Sequence, residues 1–96
     1  MFTIEDQGGG SYRLTGRLDA AQVEVAEGLL DDASGPVTLD MAELDYIASA
    51  GISVVLALFK RLHGDGQALR LINLTPHVMN VFKYAGLDQV LDIKAA

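Results

Sequence analysis

The chemistry open to this chain is concentrated in one segment, Asp45-Tyr46-Ile47-Ala48-Ser49-Ala50-Gly51-Ile52-Ser53. The apolar run after it is spaced as a helix, so Ser49 falls at a helix start. The free N–H groups of a first turn, and the positive end of the helix dipole, favour negative charge there. Ser49 therefore has two compatible uses. As an N-cap, its hydroxyl accepts a hydrogen bond from a first-turn N–H, worth roughly 1 kcal/mol. As a phosphoacceptor, it would place about −1.5 to −2 charges where donors already wait. Gly51 also has two readings: relief of crowding against a neighbouring strand, or bared backbone for an approaching partner. Ser53 is a weaker hydroxyl candidate, expected to pack along the helix.

Nothing around this segment builds a catalytic centre. Asp40 and Asp45 are expected at the end of the third strand and in the loop beyond it. Acids at the carboxyl edge of a parallel sheet can hold Mg²⁺ or accept a phosphate. Two acids with no third at metal-site spacing fit a solvated loop or a partner contact better. His63 and His77 lie on different elements. His63 reads as a charge partner at a helix C-terminus, His77 as a surface residue of a first helical turn. There is no cysteine, no phosphate-loop or dinucleotide glycine motif, and no Ser–His–Asp arrangement. The expectation is no catalytic residue, no metal, no cofactor and no enzymatic activity.

Charge narrows the partner. Thirteen acidic and seven basic side chains give a formal charge of −6. Nucleic acids and anionic membrane surfaces reward clustered Lys and Arg, so both are disfavoured; a protein with a basic face suits better. The opening MFTIEDQGGG has neither the basic nor the apolar part of a signal peptide. The longest apolar run, residues 52–59, is too short to cross a bilayer. A cytoplasmic protein without direct membrane insertion is expected. Half of the 96 residues are hydrophobic, enough for one domain, residues 1–96, with a true core.

The elements that must position Ser49 follow from periodicity. Phe2 and Ile4 alternate with polar residues, as do Tyr12, Leu14, Gly16 and Leu18; three glycines between them make an antiparallel hairpin. Asp19, with Gln22 three residues on, starts a helix over 20–30 whose core stripe is Ala21, Val25, Ala26 and Leu29. Val37, Leu39 and Met41 make the third strand, followed by an acidic turn. A helix over 50–63 places Ile52, Val55, Leu56, Phe59 and Leu62 on one face. Residues 68–74 form a fourth strand. Thr75-Pro76 caps a helix over 76–85 that buries Val78, Val81 and Phe82 and stops at Gly86. Leu87, Val90, Leu91 and Ile93 close the chain as an apolar tail. The order β-β-α-β-α-β-α predicts an α/β domain with a four- or five-stranded mixed sheet and helices mainly on one face.

This order, the segment VTLDMAELDYIASAGI and the ending LINLTPHVMNVFKYAGLDQVLDI resemble the STAS domain over nearly the whole chain. More narrowly, they resemble bacterial anti-sigma factor antagonists. Members of that group commonly read D-S-S-G at the helix start, with the serine before the glycine phosphorylated. On this chain the family Asp falls on Ala48, the first Ser on Ser49, the second on Ala50 and the Gly on Gly51. The usual phosphoacceptor is thus replaced by Ala50, which leaves Ser49 as the candidate. The resemblance implies a transcription regulator that switches partners. The unmodified domain binds an anti-sigma factor with a histidine-kinase-like ATPase fold, phosphorylation breaks the complex, and a phosphatase restores it. The implied partner-binding residues are Asp45, Tyr46, Ala48, Ser49, Ala50, Gly51, Ile52 and Ser53, joined by the loop over 19–23. Single STAS-like domains also serve as small subunits supporting the ATPase of lipid-transporting ABC systems, where no phosphorylation is needed. Ala50 keeps that alternative open.

Overall fold

The computed structural model describes all of residues 1–96. The strands β1 (Phe2–Gly8) and β2 (Ser11–Leu18) form the expected antiparallel hairpin. Its turn is glycine because Gly8, Gly9 and Gly10 all have positive φ, and at Gly10 a Cβ would also lie 2.4 Å from the Pro36 carbonyl oxygen. The rest of the chain adds α1 (Val23–Leu30), β3 (Val37–Ile47), α2 (Ser49–Gly64), β4 (Leu69–Leu74), α3 (Pro76–Tyr84) and β5 (Asp92–Ala95). The five strands lie in sequence order in one sheet, antiparallel at β1–β2 and parallel thereafter.

Four sequence expectations are corrected. The apolar tail is a short 3-10 turn, Leu87–Gln89, followed by β5, which pairs with β4. Tail residues that alternate too briefly to read as a strand gain their ladder from an existing edge. The acidic turn after Met41 does not exist: β3 runs on to Ile47. The first helix is split into a 3-10 turn, Ala20–Gln22, and α1. Its buried stripe is Ala26 and Leu30, whereas Val25 and Leu29 are 49% and 47% exposed and Ala21 is exposed. The helix rotates about one residue from the expected face. Finally, α2 buries Val54 and Leu58 besides Ile52, Val55 and Leu62, while Leu56 and Phe59 are only partly covered.

The core is one cluster built from the sheet residues Leu14, Leu39, Met41 and Leu71, the α2 residues Val55, Leu58 and Leu62, and the α3 residues Val78 and Phe82. Val81 is only half-buried. The helices α1 and α2 pack on each other, and α3 packs on β3 and β4. Arg61 of α2 ties the first pair together. Its two terminal nitrogens donate to the Leu30 and Ala33 carbonyls at 2.9 and 2.8 Å. These are acceptors at and beyond the end of α1, where a helix leaves carbonyls unpaired and favours positive charge. No helix is long and apolar enough to cross a membrane.

Burial decides where truncation hurts. Leu62 is 1% exposed, so Leu62→Ala is expected to cost about 2–5 kcal/mol through lost burial and a residual cavity. Leu56→Ala, at a partly covered position, is expected to cost under about 2 kcal/mol. Urea unfolding of both variants checks this; equal losses would contradict the difference in burial between the two positions.

Candidate functional site

Three strand ends and three helix starts converge on one edge of the sheet. The strands β2 and β3 are parallel and end in register, with Leu18 opposite Ile47. The Ala48 N–H continues the ladder, donating to the Leu18 carbonyl at 2.9 Å. The loop beginning at Asp19 therefore lies beside the start of α2, as the sequence predicts. Asp19 Oδ1 accepts from the Ala21 N–H at 3.1 Å, an N-cap bond to the second residue of the turn and not to Gln22.

The start of α2 is one residue earlier than expected. Ala48, in extended conformation, is the N-cap, and Ser49 is the first helical residue. Ser49 therefore does not cap the helix. No side chain caps α2, and its first turn contains no acid. The helix presents its positive end with an exposed serine on it. Ser53 is also exposed, and its hydroxyl donates to the Ser49 carbonyl at 3.2 Å. Gly51 resolves to its packing role. A Cβ there would lie 2.7 Å from both Leu18 Cγ and the Leu18 carbonyl oxygen, and 2.8 Å from Ile47 Cγ1. Such contacts are well inside van der Waals distance, so the helix start can approach the strand ends only with glycine at this position.

The segment therefore divides by exposure. Asp45, Ser49 and Ser53 face outward, while Tyr46, Ala48 and Ala50 are half-covered. Gly51 and Ile52 are buried and serve by position. Asp45 and Tyr46 stand on β3 itself, not in a loop.

Sequence reasoning did not single out Arg17 as a site residue, and it placed His77 only as a surface residue. The Arg17 guanidinium carbon lies 4.3 Å from the centre of the Tyr46 ring, and the His77 ring stacks on Tyr46 at 5.7 Å between centres. The strand register could have found the first, because Arg17 pairs with Tyr46 across β2 and β3. The second follows once β4 is known to be parallel to β3, since the start of α3 then emerges at the same edge. His63 lies in the last turn of α2 as expected, stacked on Phe59.

Asp40 sits back along β3 and controls its path. The register slips between Arg13 and Thr15, where β3 carries an extra residue, and again between Gly16 and Arg17. A bulge frees a backbone N–H from the ladder. Asp40 Oδ1 accepts the Ala42 N–H at 3.0 Å and the Asn73 amide at 3.2 Å, and Oδ2 faces Arg13 Nη2 at 3.4 Å. Burial pushes the carboxyl pKa up, but these three donors and the Arg13 charge outweigh it and hold it below the usual value. Asp40 is therefore a structural acid, already satisfied by protein groups. No group of three or more His, Asp or Glu side chains forms a metal-sized cluster. None of the four surface cavities is lined by residues 45–53. The edge is an open face, suited to a protein surface more than to a small ligand.

The model of a family described as "Mlab, STAS domain" matches residues 6–92. The chain belongs to the STAS domain family. BtrV of Bordetella bronchiseptica, provisionally named an anti-sigma factor antagonist, is 37% identical over 84 residues, covering 83% of this chain and 72% of that protein. The anti-sigma-B factor antagonist of Bacillus subtilis is 27% identical over 66 residues, covering 69% of this chain and 61% of that one. Among solved structures, a Thermotoga maritima protein provisionally named an anti-sigma factor antagonist matches with a TM-score of 0.84 at 16% identity, over 99% of this chain and 86% of its own. Phosphorylated SpoIIAA of Bacillus matches with a TM-score of 0.70 at 21% identity, over 97% and 90%. These two matches carry the STAS fold; the sequence relatives make this an anti-sigma factor antagonist-like STAS protein.

Within this STAS sheet, Asp40 should leave a signature in acid. Its folded-state pKa lies below the ordinary 3.8. The ionised group therefore stabilises the fold above that value, and the contribution is lost as pH falls through the lower folded-state value. Asp40→Asn is expected to cost about 1–2 kcal/mol at neutral pH, discounted for the exposed Arg13. The gap to wild type should narrow on acidification below 3.8. Chemical denaturation across pH checks this, and a constant gap would contradict the role given to the carboxylate.

Proposed function

We propose that this chain is an anti-sigma factor antagonist working by partner switching. Its binding face is the start of α2 with the end of β3, residues 45–53, joined by the loop over 19–23. The partner is an anti-sigma factor with a histidine-kinase-like ATPase fold, and capture of that partner frees the sigma factor. The observation that carries the reading is the exposed Ser49 on an uncapped helix start, in a chain whose sequence relatives bear the name of anti-sigma factor antagonists.

The switch follows from where charge is tolerated. In the free protein, a phosphate on Ser49 meets the positive end of α2 and first-turn N–H groups, so the fold accepts it. In the complex the same position is covered, and a phosphate there adds charge and bulk to a buried contact. Phosphorylation therefore separates the partners with little change to the domain, and a phosphatase resets it. Ala50, standing where the family usually carries its phosphoserine, moves the acceptor one residue toward the N-terminus.

The same alanine favours a second reading. A constitutive STAS subunit that supports the ATPase of a lipid-transporting ABC system needs no acceptor, and the matched family model carries the description "Mlab".

Ser49 separates the two. Ser49→Asp is expected to melt near wild type and to bind the anti-sigma factor about tenfold or more weakly, a loss of at least about 1.4 kcal/mol. Ser49→Ala is expected to bind and to resist the kinase. Titration calorimetry and phosphorylation assays with the cognate kinase read both. Labelling of Ser49→Ala as strongly as wild type contradicts the assignment of the acceptor. No labelling of wild type moves the chain to the transport reading.

A further inference from the structure

The helix α1 carries two apolar stripes and needs only one to fold. Ala26 and Leu30 face the core. Val25 and Leu29, one turn apart on the adjacent face, stay 49% and 47% exposed. Single exposed apolar residues are ordinary, but here Leu29 sits on a shaped surface with Val25 beside it on the helix. Leu29 joins Ile4 and Tyr12 of the hairpin to line a cavity of about 210 Å³, with Asp6 and Asp32 in its wall. On the other flank of α1, Glu27 and Asp31 line a second cavity of about 190 Å³ against α2. The ridge of α1 thus stands between two grooves, as a helix–helix packing surface requires.

The charge around the ridge has one sign. Asp6, on the same face of β1 as Ile4, and the segment from α1 to Asp32 with Glu24, Glu27, Asp31 and Asp32 supply five acids and no Lys or Arg. Arg61, which also lines the second cavity, has its guanidinium engaged by the Leu30 and Ala33 carbonyls. An apolar ridge with acidic banks repels a second copy of itself and an anionic lipid surface, and attracts an apolar strip with basic banks.

We infer that the outer face of α1, with the adjoining edge of the β1–β2 hairpin, is a second docking surface that takes an amphipathic helix with basic flanks from a protein partner. It is separate from the face at the start of α2 and holds whether or not Ser49 is a switch. The ridge supplies apolar burial, and the acids set orientation and discriminate against acidic helices.

The test uses the isotope-labelled chain and a synthetic amphipathic helix of leucine and lysine, about 14 residues long, beside its leucine–glutamate counterpart. The lysine peptide is expected to shift resonances centred on Ile4, Tyr12, Val25 and Leu29, and the glutamate peptide to leave them in place. Leu29→Asp adds negative charge but removes the ridge, and is expected to weaken binding about tenfold or more. Val25→Gln, at the other exposed position, should weaken it in the same direction. Thermal melts confirm that both variants stay folded. Unchanged or tighter binding by folded Leu29→Asp reduces the effect to bulk charge and overturns the inference. So do shifts spread over all acidic surfaces, equal binding of the glutamate peptide, or no binding of the lysine peptide. Shifts at the same four residues on concentrating the protein alone assign the face to a second copy and also overturn it.

Discussion

The start of α2 rests on the ends of β2 and β3 with no room for a side chain between them. Gly51 sits where a Cβ would strike Leu18 and Ile47, and Ala48 is hydrogen-bonded to Leu18 just before it. Protein interiors have little slack, so this contact sets the height and direction of the helix. The helix in turn places Val54, Val55, Leu58 and Leu62 in the core and leaves Ser49 outside. One close approach thus couples the packing of the domain to the exposure of its candidate switch. The proposed partner face is anchored to the core, because its least exposed members, Gly51 and Ile52, are buried in the same turn.

How β3 reaches that point is a matter of two bulges. Alternation holds through Val37, Leu39 and Met41, and then the buried residues come three apart, at Leu44 and Ile47. A strand that gains a residue against its neighbour loses its period of two. Residues 42–46, which include three charged or phenolic side chains, consequently read as a turn. The Asp40 carboxylate repairs the first bulge by accepting the freed Ala42 N–H, and through Asn73 and Arg13 it fastens β3 to both neighbours. No local pattern encodes those partners. They come from strands that meet only in the folded sheet.

The remaining legibility divides the same way. The hairpin, the three helices, the fourth strand and the side-by-side loops at Asp19 and Ala48 all follow from spacing and handedness. The face of α1 did not, because Val25, Ala26, Leu29 and Leu30 offer two apolar stripes and the sequence cannot say which one meets the sheet. The strand β5 was hidden because only the open edge of β4 makes its few residues a strand. At the site, Ser49 was legible as a helix-start serine, but its place one residue inside the cap was not. Arg17 and His77 became site residues only through their common neighbour, Tyr46. That stack puts the Arg17 guanidinium and the His77 ring on Tyr46, at the same edge of the sheet as the uncapped end of α2.

This edge of the sheet is the proposed docking face for the anti-sigma factor. Amide hydrogen exchange of the chain, alone and in complex with that partner, tests it most directly. Added protection is expected at residues 45–53, extending to 19–23 across the Leu18–Ala48 contact. Protection confined to residues 64–66, at the far end of α2, and to the hairpin turn over 8–10, at the opposite edge of the sheet, would contradict it.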